Sequence, residues 1–207
     1  EASSDQRLIA IGASTGGPQA LMRILRTLPR EMPPILVVQH ITPSFTQSFS
    51  KSLDASCQMK VEVAVDGIKP IDGHIYVAPG DCHMLLAREK SDYQIRLSDH
   101  DHVNRHRPSV DELFRSVADH ARQNATGVLL TGMGIDGAAG MAQMRQNGAW
   151  TIAQDEASSV VFGMPRAAIE MGAAARVMSL DHIPGELVNY FVTNSGVNQR
   201  GARKESA

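Results

Sequence analysis

The sequence predicts an α/β fold: a doubly wound, mostly parallel, Rossmann-like sheet with an antiparallel β-hairpin insert. Three observations predict it. Short runs rich in Val, Ile and Leu recur, and several are apolar nearly throughout, as strands covered on both faces are. Helical patterns lie between them, so strand and helix alternate. One stretch, His83–Asp99, breaks the rhythm with two alternating runs about the turn-like Glu89–Asp92, and it reads as a hairpin added to the sheet.

The strands are Leu8–Gly12, Ile35–Gln39, Val61–Val65, His74–Pro79, Gly127–Gly132 and Trp150–Gln154. The first helix, Pro18–Leu28, opens on a proline suited to a first turn and aligns Leu21, Ile24, Leu25 and Leu28. The second, Phe45–Ala55, spaces Phe45, Phe49 and Leu53 four apart. Ser109–Gln123 opens with a capping box in which Ser109 caps and Glu112 reaches back. Asp136–Asn147 follows a glycine-rich turn and stops before Gly148. Met164–Met171 and Ile183–Val192 complete the set.

A chain of 207 residues suits one large domain. We expect it over 8–193, with a linker remnant over 1–7 and a flexible tail over 194–207. The net charge of −2 argues against a nucleic-acid partner held through phosphates. No apolar run approaches the roughly 20 residues that cross a bilayer, so no membrane insertion is expected. Cys57 and Cys82 form neither a zinc spacing nor a disulfide framework, and a reduced cytoplasmic setting follows. Asp99–Arg107 gathers His100, His102 and His106 with two aspartates, yet matches no standard zinc pattern. Loop solvation suits His100 and His102, and neither metal nor cofactor is expected. Arg105, Arg107 and Arg115 read either as ordinary surface charges or as attractors of an acidic partner.

Three strand ends carry the chemistry. The first runs into "GASTGG" with Ser14, the second into His40, and a later one into "GMGIDG" with Asp136. Sites in open α/β sheets gather where strands deliver their carboxyl ends. A serine hydroxyl needs a base, a histidine supplies one near neutrality, and a carboxylate fixes the imidazole. Backbone N–H groups must meet the oxyanion, and Thr15 and Met133 are the candidates, with Gly16 and Gly134 giving access. "GASTG" also fits the nucleophile elbow, but the chain order Ser14, His40, Asp136 is not that superfamily's. Alternatively, "GASTGGP" is a phosphate-binding turn of a nucleotide-binding module, or Asp136 merely caps the helix it begins. Spacing alone leaves these readings open.

Six stretches in order, "IAIGASTGGPQAL", "VVQHITPSFTQSF", "VAPGDCHM", "VNRHRPSVDELF", "GVLLTGMGIDGAAGM" and "AQDEASSVVFGMPRAAI", resemble the catalytic domain of the chemotaxis protein-glutamate methylesterase (CheB) family. The resemblance runs from about Leu8 to Leu180. It implies a serine hydrolase that frees methanol from glutamyl methyl esters on the cytoplasmic helices of chemoreceptors and also deamidates particular receptor glutamines. It implies Ser14 as nucleophile, His40 as base and Asp136 as the orienting acid. Thr15 and Met133 fall where the family lines its active site, and His106 lies in a further motif, to shape the pocket or bind substrate. It also implies a preceding receiver domain, phosphorylated by the chemotaxis histidine kinase, which covers the site until phosphorylation relieves it. Two departures are Ile135, where a small polar residue is expected, and Ile41–Thr42 in place of a Met-Pro-type pair. A hydrolase of the same fold acting on another ester or amide is the alternative.

Overall fold

In the computed structural model, residues 6–191 are described. Seven strands form one parallel sheet: β1 (Leu8–Ala13), β2 (Ile35–Gln39), β3 (Lys60–Val63), β4 (His74–Val77), β7 (Ala125–Leu129), β8 (Trp150–Gln154) and β9 (Arg176–Met178). Their order is β3-β4-β2-β1-β7-β8-β9. Connections out of β1 run towards one edge and those out of β7 towards the other. The two strands therefore flank the switch point, where α/β sheets open a crevice at their carboxyl ends.

Strand side chains alternate between two buried cores because both faces are covered. Leu8, Ala10, Leu36 and Val38 face α3 (Val110–His120) and α4 (Ala138–Gln146), together with α5 (Met164–Glu170). Ile9, Ile11, Ile35 and Val37 face the other layer, formed by α1 (Gly17–Leu25), Leu53 of α2 (Pro43–Asp54) and a sixth helix over 183–191. The expected doubly wound class is the observed one. The expected linker remnant over 1–7 lies largely, and the tail over 194–207 wholly, outside the described residues.

Three expectations are corrected and one strand is added. The hairpin of β5 (His83–Glu89) and β6 (Asp92–Ser98) is a two-stranded sheet of its own. It packs on α3 through Met84, Leu86, Tyr93 and Ile95. Strand β9 went unforeseen because its three residues are short and largely exposed, without an apolar pattern to read. Helix α2 buries Thr46, Ser50 and Leu53 and packs Phe49 on the core, but Phe45 leaves the expected row. The Thr46 hydroxyl accepts the Gly80 N–H at 3.0 Å, which turns Phe45 outward to 63% exposure. Lastly, α4 starts two residues after Asp136, which frees that aspartate from its own helix.

The register sets the site. Ala13 pairs with Gln39, and Gly12 with Leu129. Backbone bonds carry the alignment past the strand ends: His40 N–H donates to Ala13 O at 3.1 Å and Ser14 N–H to Thr131 O at 3.0 Å. Behind this edge, α3 begins against Gly12, where an added Cβ would lie 2.2 Å from Val110 Cγ1. Gly12→Ala is therefore expected to lower stability by about 1–3 kcal/mol, measured by urea unfolding. An unchanged midpoint would show that α3 can retreat freely.

Candidate active site

Asp136 follows the glycine turn after β7, and its carboxylate is buried to 1% exposure. It accepts five hydrogen bonds. On Oδ2 they come from His40 Nε2 at 2.8 Å and the Val110 N–H at 2.7 Å. On Oδ1 they come from Asn104 Nδ2 at 2.7 Å, the Ser109 hydroxyl at 2.7 Å and the Asp111 N–H at 3.2 Å. Asp136 thus caps α3, not the helix it precedes in sequence. The expected capping box is replaced: Ser109 stands at the N-cap, but its hydroxyl donates to Asp136 and makes no cap bond. Glu112 pairs instead with His100 and Arg115. Burial pushes the Asp136 carboxyl up, but bonds from His40, Asn104, Ser109 and Val110 outweigh it and hold the group at about 2, against an ordinary 3.8.

This carboxylate sets the orientation of His40. An ionised carboxylate only accepts, so in the neutral ring Nε2 carries the hydrogen and Nδ1 keeps the lone pair. Nδ1 is buried and has no partner among the described residues. The His106 ring stacks on His40, with centroids 3.7 Å apart and planes at 12°. Burial first, then the His40 charge, push the His106 imidazole below its ordinary value, against the pull of Asp136.

Ser14 lies in the turn between β1 and α1, half-buried, one step past the Ala13–Gln39 pair and so beside His40. Its carbonyl accepts Gly17 N–H at 2.8 Å and Gln39 Nε2 at 2.9 Å. The Ser14 hydroxyl has no hydrogen bond among the described residues, so the imidazole is locked while the serine hydroxyl is free to rotate. Ser14 is not in the left-handed region; Gly16 is, at φ 80°. The strained serine of a nucleophile elbow is therefore missing, as the chain order requires. Two amides of the turn, Ser14 N–H and Gly17 N–H, are taken by protein carbonyls, which leaves a poor phosphate cradle. The Thr15 and Met133 N–H groups make no hydrogen bond among the described residues. Met133, in the turn that carries Gly134 at φ 90°, is 70% exposed. Val160 covers Gly16, and it joins Met133, Ile135 and Phe45 as large exposed apolar side chains.

The remaining candidates lie apart from this chemistry. His100 is not merely solvated: it stacks on buried His83 at 4.2 Å and meets Glu112 at 3.1 Å. Arg107 is held by Asp81 and by the Asp99 and His100 carbonyls. His102 and Arg105 are exposed. No group of three or more His, Cys, Asp or Glu side chains among the described residues is arranged to hold a metal ion.

A CheB methylesterase family model matches residues 9–187. The chain belongs to the CheB methylesterase family. It is 55% identical over 185 residues to the protein-glutamate methylesterase/protein-glutamine glutaminase of Salmonella typhimurium, which covers 89% of this chain and 53% of that protein. The same figures hold for the enzyme of that name from Escherichia coli O157:H7. The chain thus spans about half the length of the curated relatives it matches. Its fold superposes with a TM-score of 0.87 on the crystal structure of the Thermotoga maritima CheB methylesterase catalytic domain, at 38% identity, covering 89% of this chain and 98% of that one.

Within this CheB domain, sequence reasoning missed Asn104, Gln39 and Gln154. Gln39 and Gln154 are buried residues that end strands of otherwise mostly apolar sequence, "ILVVQ" and "WTIAQ". A polar residue closing such a run was the available signal. Gln39 Nε2 also donates to His40 O at 3.1 Å. Gln154 Oε1 accepts Thr131 N–H at 2.8 Å, and the Thr131 hydroxyl donates to Thr15 O at 2.9 Å.

Acid stability tests the Asp136 assignment. The folded carboxyl titrates at about 2 and an unconstrained one at 3.8, so ionisation favours the folded state. This contribution is complete above about pH 5 and is lost as the pH falls towards 2. At about pH 6 the carboxyl contributes on the order of 2 kcal/mol. Asp136→Asn is expected to lose it, with the gap to the parent closing between about pH 4 and 2 in unfolding curves; a constant gap contradicts the assignment.

Proposed function

We propose that this domain is a cytoplasmic protein-glutamate methylesterase that hydrolyses glutamyl methyl esters on the cytoplasmic helices of chemoreceptors and also deamidates particular receptor glutamines. The observation that carries the reading is the His40–Asp136 contact at 2.8 Å, with the unpartnered Nδ1 on the other side of the ring and Ser14 next in register. Family membership supports the substrate class.

In this reading His40 Nδ1 takes the proton of Ser14 Oγ as the hydroxyl oxygen attacks the ester carbonyl carbon. The tetrahedral oxyanion is met by the Thr15 and Met133 N–H groups. Asp136 stabilises the imidazolium through Nε2. His40 then returns the proton to the departing methoxide, releasing methanol and leaving an acyl-Ser14. Water, deprotonated by His40, attacks that acyl group, and His40 returns the proton to the departing Ser14 Oγ as the glutamate is freed. With a glutamine substrate the same steps release ammonia. Gly16 and Gly134 keep the approach open, His106 holds the His40 ring by stacking, and exposed Met133, Ile135, Val160 and Phe45 offer apolar contact to a helix.

The partners follow from the same membership. Methylated receptor helices are the substrate. The curated relatives extend well beyond the matched half, and a receiver domain phosphorylated by the chemotaxis histidine kinase is the regulator we assign to that remainder. No helix of the described residues is long and apolar enough to cross a membrane.

Methanol release from methylated receptor membranes tests the proposal. Ser14→Ala and His40→Gln are each expected to lose about 10³-fold or more, and Asp136→Asn somewhat less. Retained activity in Ser14→Ala overturns the serine mechanism. Release from small generic esters but not from receptor membranes assigns the chain to a different ester. His106→Phe, which keeps a flat ring against His40, is expected to retain most activity, whereas His106→Ala falls about tenfold. Equal losses in the two would remove stacking as the role of His106.

A further inference from the structure

Asp136 has a second buried carboxylate beside it. Asp111, in the first turn of α3, is 3% exposed. Its Oδ1 accepts the Gly140 N–H of α4 at 2.7 Å, and Arg115 approaches Oδ2 at 3.7 Å from the solvent side. A second negative charge at the same helix end opposes the ionised form of Asp136. One group stands between them. Asn104 Nδ2 lies 2.7 Å from Asp111 Oδ2 and 2.7 Å from Asp136 Oδ1, so each of its hydrogens serves one carboxylate.

The backbone is shaped to deliver this amide. Val103 and His106 exchange both of their backbone hydrogen bonds, at 3.1 and 2.9 Å. The two residues between them are left-handed, Asn104 at φ 51° and Arg105 at φ 66°. A two-residue turn of this kind favours asparagine at its first position. It sends Asn104 to the carboxylates and the next residue but one, His106, onto the His40 ring.

We propose that Asn104 is a positioning residue of the triad: a neutral double donor that keeps Asp136 ionised and aimed at His40 despite the charge of Asp111. The proposal rests on the triad assignment made above. Neutrality matters here. His40 is the one basic side chain paired with Asp136 among the described residues. A lysine or arginine in place of Asn104 would also quiet the repulsion, but it would cancel the negative field that an imidazolium needs. An amide separates the carboxylates without adding charge.

Asn104→Gly tests this, because glycine adopts the left-handed turn freely and lacks the amide. We expect kcat for methanol release to fall about tenfold with KM unchanged. We expect the Asp136 side-chain carboxyl, followed by ¹³C NMR, to titrate about one pH unit or more above the parent's. Asn104→Asp also tolerates the turn and adds a third carboxylate, so its upward shift should exceed that of the glycine variant. In Asn104→Gly/Asp111→Asn the neighbouring charge is gone and a new amide is supplied, so both readouts should return towards the parent. An Asp136 titration unmoved in both single variants overturns the proposal, as does a double variant no better than Asn104→Gly. A parent that releases no methanol overturns the methylesterase reading instead, and the NMR titrations then decide on Asn104 alone.

Discussion

The capped carboxylate of Asp136 is the interaction on which the rest of the site depends. An ionised group at 1% exposure is tolerable only if its lost hydration is replaced. Here five donors replace it, two of them amides at the head of α3, where the helix dipole also favours negative charge. Those donors come from the turn after β2, the Val103–His106 turn and α3. One carboxylate therefore ties together segments that the chain order keeps far apart. The same bonds select which imidazole nitrogen carries hydrogen, so helix capping and imidazole orientation are one arrangement.

The Ser14 turn is held in a different way, by neutral amides. Gln39 closes β2 and holds the carbonyls of both Ser14 and His40. Its Oε1 occupies the space that a Cβ on Gly17 would need, 1.9 Å away. Gln154 closes β8 and holds Thr131, which in turn holds Thr15. Two glutamines at two strand ends thus brace the serine turn from both sides without placing a charge near it. The charge sits on Asp136, facing the His40 ring.

Much of this was legible in the sequence, for definite reasons. Doubly buried strands write continuous apolar runs, so six of the seven sheet strands and the sheet class could be read. Ser14, His40 and Asp136 each follow such a run, and the observed register brings the first two side by side. The partners of Asp136 were hidden because capping across elements leaves no local pattern. Ser109 and Glu112 had the right spacing for a capping box, yet a distant carboxylate occupies the helix end. Phe45 misled for a related reason: at the start of α2 the buried Thr46 hydroxyl, bonded to the Gly80 amide, takes the inward place, while Phe49 and Leu53 keep the apolar spacing. Asn104 was invisible as a chemical residue because its role depends on two aspartates brought together only by the fold.

The pairing of β1 with β7, Leu8 with Ala125, also governs when the site can exist. During synthesis β7 follows β1 by more than a hundred residues, and the carboxylate comes later still. Contacts of such sequence separation form slowly because the chain must close a long loop first. Ser14 and His40 therefore emerge well before the carboxylate that orients the imidazole. The three side chains come together only after the second half of the sheet has docked, so a chain ending before Asp136 would leave the imidazole unoriented.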